Sequence, residues 1–379
     1  MNSQGNRLRR KNELFVRKLI FFTDLGNRLR RNNKIIGRRR IFYAKNKKPI
    51  TQGGNDLAYI LTIGEPLVLF SAEGDSEKDK PLKDICCFKK FVAGAELNLC
   101  IGLTRLGHKT QYITQVGKDP FGEFIAESIE NEGVGNDYIH FSDDYFTGFQ
   151  LKSKVTVGDP DIFYFRRNSA ASHFNHCSID RIPFENVDAV HLTGIFPALS
   201  HETKRSIFKI LTKAKEKNIP VFFDPNLRPQ LWASENQMIH TINEIAAQST
   251  IVMPGISEAI ILTGYSDPEQ IADFYLNQGV ETVIIKQGGK GAFFKSKDEK
   301  GLVEGFKPKK IVDTVGAGDG FAAGVISGLL EHLNMREAIR RGNAIGCLAI
   351  QAQGDNEGYP TRDELEKFYE GNRVQGEKS

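Results

Sequence analysis

The sequence predicts an α/β fold: a mostly parallel central sheet with helices on both faces, and a small β-sheet lid, in a chain of 379 residues. Three observations predict it. Short apolar, β-branched runs alternate with amphipathic helical stretches through most of the chain, as in parallel strands joined by crossover helices. Phe146 to Phe165 breaks that alternation, with strand-like runs that follow one another without a helix. Finally, Val221 to Phe223 runs into the polar, proline-locked turn Asp224 to Pro229, and such turns beyond the carboxyl ends of strands are where open α/β sheets bind ligands.

Taken in order, Ile60 to Phe70 is apolar enough for one buried first strand, and Ser71 to Lys80 is polar and turn-like. Ile85 to Val92 reads as a further strand, which forms the lid together with Phe146 to Phe165. Gly94 to Leu106 reads as a helix whose apolar stripe is Leu97, Ile101 and Leu103. Strand and helix then alternate: Tyr112 to Val116 and Phe121 to Asn131, Ala189 to Leu192 and Glu202 to Lys217, then Val221 to Phe223. Ile251 to Met253 precedes a helix at Glu258 to Leu262, and Thr282 to Lys286 is the last strand of the series. From Asp319 onward Phe321, Val325 and Leu329 recur at helical spacing, while Gly320, Ala322, Ala323, Gly324 and Gly328 allow close helix packing.

Charge divides the chain in two. Residues 1–50 hold sixteen of the 51 Lys and Arg but only Glu13 and Asp24 of the 47 acidic residues, so the remainder is acidic by about ten charges. We therefore expect a basic leader over 1–56 and a folded domain over 57–379, with lid segments near 81–93 and 146–167. The acidic body gives nucleic acid no electrostatic footing. Five cysteines without a C-x-x-C pair favour reduced thiols and a cytoplasmic location. No apolar run approaches a membrane span.

The most chemical stretch is Asp313-Thr314-Val315-Gly316-Ala317-Gly318-Asp319-Gly320-Phe321. It places a glycine-rich turn, a helix start and a carboxylate at one spot. Free N–H groups and the positive end of the helix dipole form an anion site there, and Asp319 stands beside it as a general base. That combination suits phosphoryl transfer to an alcohol. Two rival motifs fail: Gly102 to Gly107 is a near-miss P-loop in which His108 separates the glycine from Lys109, and the G-x-G of Gly316 and Gly318 meets Phe321 where a dinucleotide fingerprint needs a small residue.

The full string resembles the C-terminal signature of the PfkB/ribokinase-like carbohydrate kinases. The resemblance implies a ribokinase-like three-layer sandwich, with Asp319 taking a proton from a sugar hydroxyl and Gly316, Ala317 and Gly318 holding the transferring phosphate. From about Leu57 to Phe368 the chain resembles the branch of that family that acts on 2-keto-3-deoxygluconate. That implies a substrate site of Gly94, Ala95, Asn98, Tyr164, Arg166, Arg228, Asp319 and Asp355. It also implies ATP contacts at Asn226, at the Lys286 to Gly291 loop with Gly288 and Gly291, at Gly316 to Gly318, and at Asn343. Planar guanidinium groups at Arg166 and Arg228 suit bidentate recognition of a carboxylate, a reason to prefer a sugar acid over a neutral sugar. Other activities of the family (ribokinase, fructokinase, 5-dehydro-2-deoxygluconate kinase) are the alternatives, and a sugar-sensing regulator that uses the basic leader is a third reading.

Mg²⁺ is expected with ATP, because phosphoryl transfer needs cation clamps on the phosphates, and it typically binds through phosphate oxygens and waters with few protein ligands. No protein metal ligand is assigned. Where many members carry an asparagine three residues before a glutamate this chain has Gly255 before Glu258, and Gln150 stands where some carry a tyrosine. The resemblance also implies a monovalent cation such as K⁺ near Asp313 and the Asp355 loop. A homo-oligomer is expected.

The family-like sequence begins at Leu57-Ala58-Tyr59-Ile60. The preceding basic residues have no sustained amphipathic period and no place in the sheet. They read as outside the working protein, either untranslated in the cell, with Gln52-Gly53-Gly54 encoding a ribosome-binding purine run and Leu57 a TTG start, or an arm or targeting peptide.

Overall fold

The computed structural model describes residues 58–372 except Val157 and Asp159; the basic leader expected over 1–56 lies outside the described residues. The strands are β1 (Tyr59–Ile63), β2 (Leu67–Ala72), β3 (Phe88–Ala93), β4 (Lys109–Gly117), β5 (Gly135–Ser142), β6 (Phe149–Lys152) and β7 (Ile162–Phe165). They continue with β8 (Ala189–Thr193), β9 (Val221–Asp224), β10 (Ile251–Val252), β11 (Thr282–Lys286), β12 (Ala292–Ser296) and β13 (Lys300–Val303). The main sheet runs β13-β12-β11-β10-β9-β8-β1-β4-β5, parallel from β11 to β5 and closed at one edge by the antiparallel β12 and β13.

Successive residues of a strand point to opposite faces, and the core follows that rule. Leu61, Ile63 and Phe223 pack on one face with Ile207, Ile210 and Ile242 of the helices His201–Lys217 and Glu235–Ala246. Their neighbours Ile60 and Phe222 turn to the other face and meet Leu99, Phe321, Val325 and Ile339. Those four belong to the helices α1 (Ala95–Arg105), Ala317–Leu330 and Met335–Ala349. The result is a three-layer α/β/α sandwich. The small residues expected to allow close helix packing do so: a side chain on Gly324 would meet the Cα of Gly342 at 2.7 Å.

The lid is a separate four-stranded sheet of order β3-β2-β6-β7. Here the structure corrects the sequence reading. Ile60 to Phe70 is not one strand but two, β1 in the main sheet and β2 in the lid, interrupted at Gly64-Glu65-Pro66. Ser71 and Ala72, read as turn, complete β2, so the lid holds a central strand that neither of its expected segments contains. The strands β5, β12 and β13 and the helix Met335–Ala349 had no counterpart in the sequence reading. The five cysteines are unpaired, and no described helix is long and apolar enough to cross a membrane.

Candidate active site

A cavity of about 420 Å³ lies at the carboxyl ends of β1, β8, β9 and β11, with residues of the lid among those lining it. Asp319 lines it from the first turn of the helix Ala317–Leu330. Two amides hold its carboxylate: Asn98 Nδ2 of α1 donates to Oδ2 at 2.9 Å, and Asn226 Nδ2, from the loop after β9, donates to Oδ1 at 3.2 Å. Asn98 cannot reverse its amide, because its own oxygen accepts from Asn356 Nδ2 at 2.9 Å. Asn226 reaches Asp319 from a backbone at φ 38°, on the left-handed side that asparagine tolerates better than most residues with a side chain. Burial pushes the Asp319 carboxyl up to about 7 against the pull of the Asn98 hydrogen bond; Asp224 adds to the rise, and Lys286 and Arg228 oppose it. A carboxylate that titrates near neutral pH is matched to taking a proton from an alcohol.

The turn before Asp319 is fixed from behind. Gly316 caps the helix at φ 81°, where a side chain would be strained and would also overlap the carbonyl of Asp355. Tyr359 donates to the Gly316 carbonyl at 2.5 Å. On the open side, a side chain at Gly318 would meet only Lys286 Nζ, at 3.6 Å. Gly316 and Gly318 line the cavity, so the first turn of the helix borders it beside an ammonium. Lys286 Nζ is itself paired with buried Asp224 at 2.5 Å; burial works against the lysine charge, but Asp224 and Glu258 outweigh it and raise its pKa.

Gly94, Ala95, Asn98, Tyr164 and Arg166 line the lid end of the cavity. Gly94 has φ 133°, and a side chain there would strike the Glu65 carbonyl at 2.8 Å. Arg166 departs from expectation. Its guanidinium is buried against the protein's own Glu65, with Nε 2.7 Å from Oε2 and Nη2 closer still, and it lies 5.6 Å from the centre of the Tyr164 ring. Ser169 donates to the other Glu65 oxygen. The carboxylate that this arginine was expected to seek in a ligand is therefore supplied from within, by a residue that the sequence reading passed over. Arg228 differs: among the described residues it makes no ion pair, its Nη1 donates to the Leu227 carbonyl at 2.9 Å, and it lines the cavity with Asp355 and Gln150. Glu96 also lines the cavity without having been singled out. Burial pushes it up to about 7, Oε1 accepts from Thr193, and Oε2 has no partner.

Four expected residues lie off this cavity. Ala317 contributes the first turn of its helix, but its side chain packs against the buried cluster that includes Ala344, Ile345 and Tyr359. Gly288 and Gly291 bound a tight turn after β11, and the latter abuts the backbone of 303–305. Asn343 donates to the carbonyls of Val303 and Glu304 at 3.1 and 3.0 Å, so it fixes the loop against which that turn packs. These three are brought near one another at a separate place, connected to the cavity through Lys286.

Among the described residues no three metal-ligating side chains are grouped to hold an ion. Glu258 is committed to the backbone, its oxygens accepting from Leu227 and Gly255 N–H at 2.7 Å each, so the glycine that replaces the usual asparagine leaves the glutamate as a helix cap. Asp224 keeps one buried oxygen without a partner. That inventory fits a Mg²⁺ that arrives on nucleotide phosphates and is held through water by one carboxylate. At Asp313 and Asp355, where a monovalent cation was expected, the structure places the ammonium of Lys152.

The family model for pfkB family carbohydrate kinases matches residues 58–362. The chain is 43% identical over 315 residues to the 2-dehydro-3-deoxygluconokinase of Bacillus subtilis, covering 83% of this chain and 96% of the other. It is 30% identical over 314 residues to the 2-dehydro-3-deoxygluconokinase of Thermoproteus tenax, covering 82% and 93%. Its fold is similar to that of a putative ribokinase II from E. coli solved in complex with ATP and Mg²⁺, with a TM-score of 0.76 and 27% identity over 83% of this chain and all of the other.

Proposed function

The chain belongs to the pfkB family of carbohydrate kinases, and from that premise we propose that it transfers the γ-phosphate of ATP to the 6-hydroxyl of 2-keto-3-deoxygluconate. The observation that carries this reading is Asp319, held by two amides at a helix N-terminus that lines the cavity. The 6-hydroxyl gives its proton to Asp319 as its oxygen attacks the γ-phosphorus, and ADP leaves with the electrons of the broken P–O bond. Gly316, Ala317 and Gly318 present N–H groups to the charge that develops on the transferring phosphate, and Lys286 adds a cation on the same side. Asp224, with one oxygen unpaired, would hold the waters of a nucleotide-bound Mg²⁺, whose charge would offset that of the phosphates. Asn226 orients the base, while the Gly288 to Gly291 turn and the loop held by Asn343 receive the rest of the nucleotide.

At the sugar end Arg228 pairs with the acceptor's carboxylate. Arg166, fixed by Glu65 and Tyr164, shapes the wall and offers what remains of its donor set, and Gly94, Ala95, Asn98 and Asp355 meet sugar hydroxyls. The work is done in the cytoplasm by residues 57–379, as a homo-oligomer. ADP release with 2-keto-3-deoxygluconate, its galacto epimer, gluconate, ribose, fructose and 5-dehydro-2-deoxygluconate tests the assignment, with phosphorus NMR to locate the phosphate. The keto acid is expected to turn over fastest; faster turnover of a neutral sugar would overturn it in favour of another activity of the family.

A further inference from the structure

Lys152 is the last residue of β6 in the lid, yet its side chain is only 2% exposed. Its ammonium lies 2.5 Å from Asp313 Oδ2 and 3.2 Å from Asp355 Oδ1, both buried carboxylates. These two aspartates stand on either side of the catalytic turn. Asp313 precedes Gly316 by three residues and its Oδ1 accepts from the Val315 N–H at 3.1 Å. Asp355 presses its backbone carbonyl against Gly316 and lines the cavity. Burial works against the lysine charge, but the two aspartates outweigh it and keep the pKa raised, so the group stays an ammonium. A dissolved ion at the same carboxylates would face that ammonium at contact distance. A tethered cation is also present at a local concentration that no cellular salt reaches.

We propose that the Lys152 ammonium is a built-in cation that sets the Asp313 turn against the Asp355 loop in place of an exchangeable monovalent ion, so that phosphoryl transfer does not respond to K⁺, Na⁺ or NH₄⁺. Lys152 is a positioning residue: it touches neither reactant and acts through the two aspartates on the N–H groups of Gly316 to Gly318. Two buried carboxylates deprived of their ammonium would become a site that recruits an ion from solution. The inference rests on the kinase activity of the family and not on the choice of sugar, so whichever acceptor turns over in the substrate panel serves to test it.

The test measures turnover of the full chain and of Lys152→Met in tetramethylammonium chloride at constant ionic strength, with KCl or NH₄Cl replacing it stepwise. The unsubstituted protein should change by less than about twofold once screening is held constant. Lys152→Met should be slower by at least about tenfold without small cations, the scale at which mispositioning registers, and should recover several-fold with NH₄⁺ or K⁺. Lys152→Arg, which keeps the charge, should stay insensitive to salt. Turnover of the unsubstituted protein that climbs several-fold with K⁺ overturns the proposal. So does a folded Lys152→Met that keeps its rate, or one whose loss no cation restores. If Lys152→Met does not fold, the salt series on the unsubstituted protein and Lys152→Arg still decides. A protein that turns over only a neutral sugar refutes the sugar-acid reading and leaves this one open to the same measurement.

Discussion

The amide of Asn98 donates to Asp319 Oδ2 at 2.9 Å, so the opening turns of two helices 221 residues apart in the chain meet at one carboxylate. The bond favours the charged form of Asp319 against burial, which pushes that carboxyl up to about 7.

A base must be unprotonated to work, so kcat/KM should rise with pH through about 7 and level off above it. Asn98→Ala removes a bond that lowers this pKa and should move the rising limb to higher pH. Asp319→Asn keeps the shape and removes the base, lowering kcat by about a hundred- to ten-thousand-fold with little change in ATP affinity. A pH–rate profile of the three proteins checks both. A limb unmoved by Asn98→Ala would separate the bond from the chemistry.

The two arginines should fail differently. Arg228→Ala should raise KM for the sugar acid by an amount worth about 1.5–3 kcal/mol, and cost a neutral sugar less. Arg166→Ala leaves buried Glu65 without its counter-charge, with only the Ser169 hydroxyl as partner, and should lower stability by about 3–5 kcal/mol in addition to any kinetic effect. Thermal unfolding and substrate titration of both variants distinguish them. Equal stability losses would contradict the pairing described here.

Gly318→Ala adds a methyl group that meets only Lys286 Nζ at 3.6 Å, within a helix. Folding should be unharmed, or improved by up to about 1 kcal/mol. Any rise in KM for ATP or fall in kcat then reports on bound phosphate alone. Normal kinetics in a well-folded Gly318→Ala protein would place the phosphate elsewhere.

Stability should fall as the solution turns from mildly acidic to neutral. Asp319 and Glu96, both pushed up to about 7 by burial, hold protons that an unfolded chain releases near pH 4. Between those values the folded state binds more protons, so their contribution is full below about 4 and is lost as pH rises to about 7. Glu331 works oppositely. Burial acts to raise its pKa, but His108, Arg362 and Arg341 outweigh it and lower it, so its share is lost on acidification below the ordinary carboxylate range. Unfolding temperature should therefore peak in mild acid, and Asp319→Asn or Glu96→Gln should each recover about 1–3 kcal/mol of the loss at neutral pH. Curves parallel to the unsubstituted protein from pH 5 to 8 would show these carboxyls to be ordinary.

A chain shortened to begin at Leu57 should keep its kinetic constants and unfolding temperature. Turnover and thermal unfolding check this, and intact mass of the cellular protein gives its start. Loss of activity on shortening would make the leader part of the enzyme.

What the sequence made legible was what is local. Gly316 to Asp319 could be read as a glycine turn opening a helix because that needs only neighbouring residues, and Gly94 to Asn98 for the same reason. The parallel strands were visible because burial on both faces leaves apolar runs such as Val221 to Phe223. Glu65 and Lys152 could not be read this way. Glu65 before a proline looks like a turn, and its partner Arg166 is 101 residues away; Lys152 ends a strand where lysine ordinarily meets water, and Asp355 is 203 residues away. Nothing near either residue signals that a distant opposite charge has made its burial tolerable. The split of Ile60 to Phe70 was hidden because both halves are apolar, and only the change of sheet at Gly64 to Pro66 separates them.

The chain passes between sandwich and lid four times, and the four passages converge. Gly64-Glu65-Pro66 joins β1 to β2, Gly94 joins β3 to α1, residues 143–148 lead from β5 to β6, and Arg166 follows β7. Glu65, Gly94 and Arg166 all line the cavity, and Gly148 packs between Leu67, Glu65 and Arg166. The joint between lid and sandwich is thus also a wall of the cavity: any swing of the lid must be absorbed by residues that line it or pack directly behind it. With the acceptor seated there as proposed, opening rate and acceptor affinity become one mechanical property, and substitutions at Glu65 or Gly148 should shift kcat and KM together where those at Asp319 shift kcat alone.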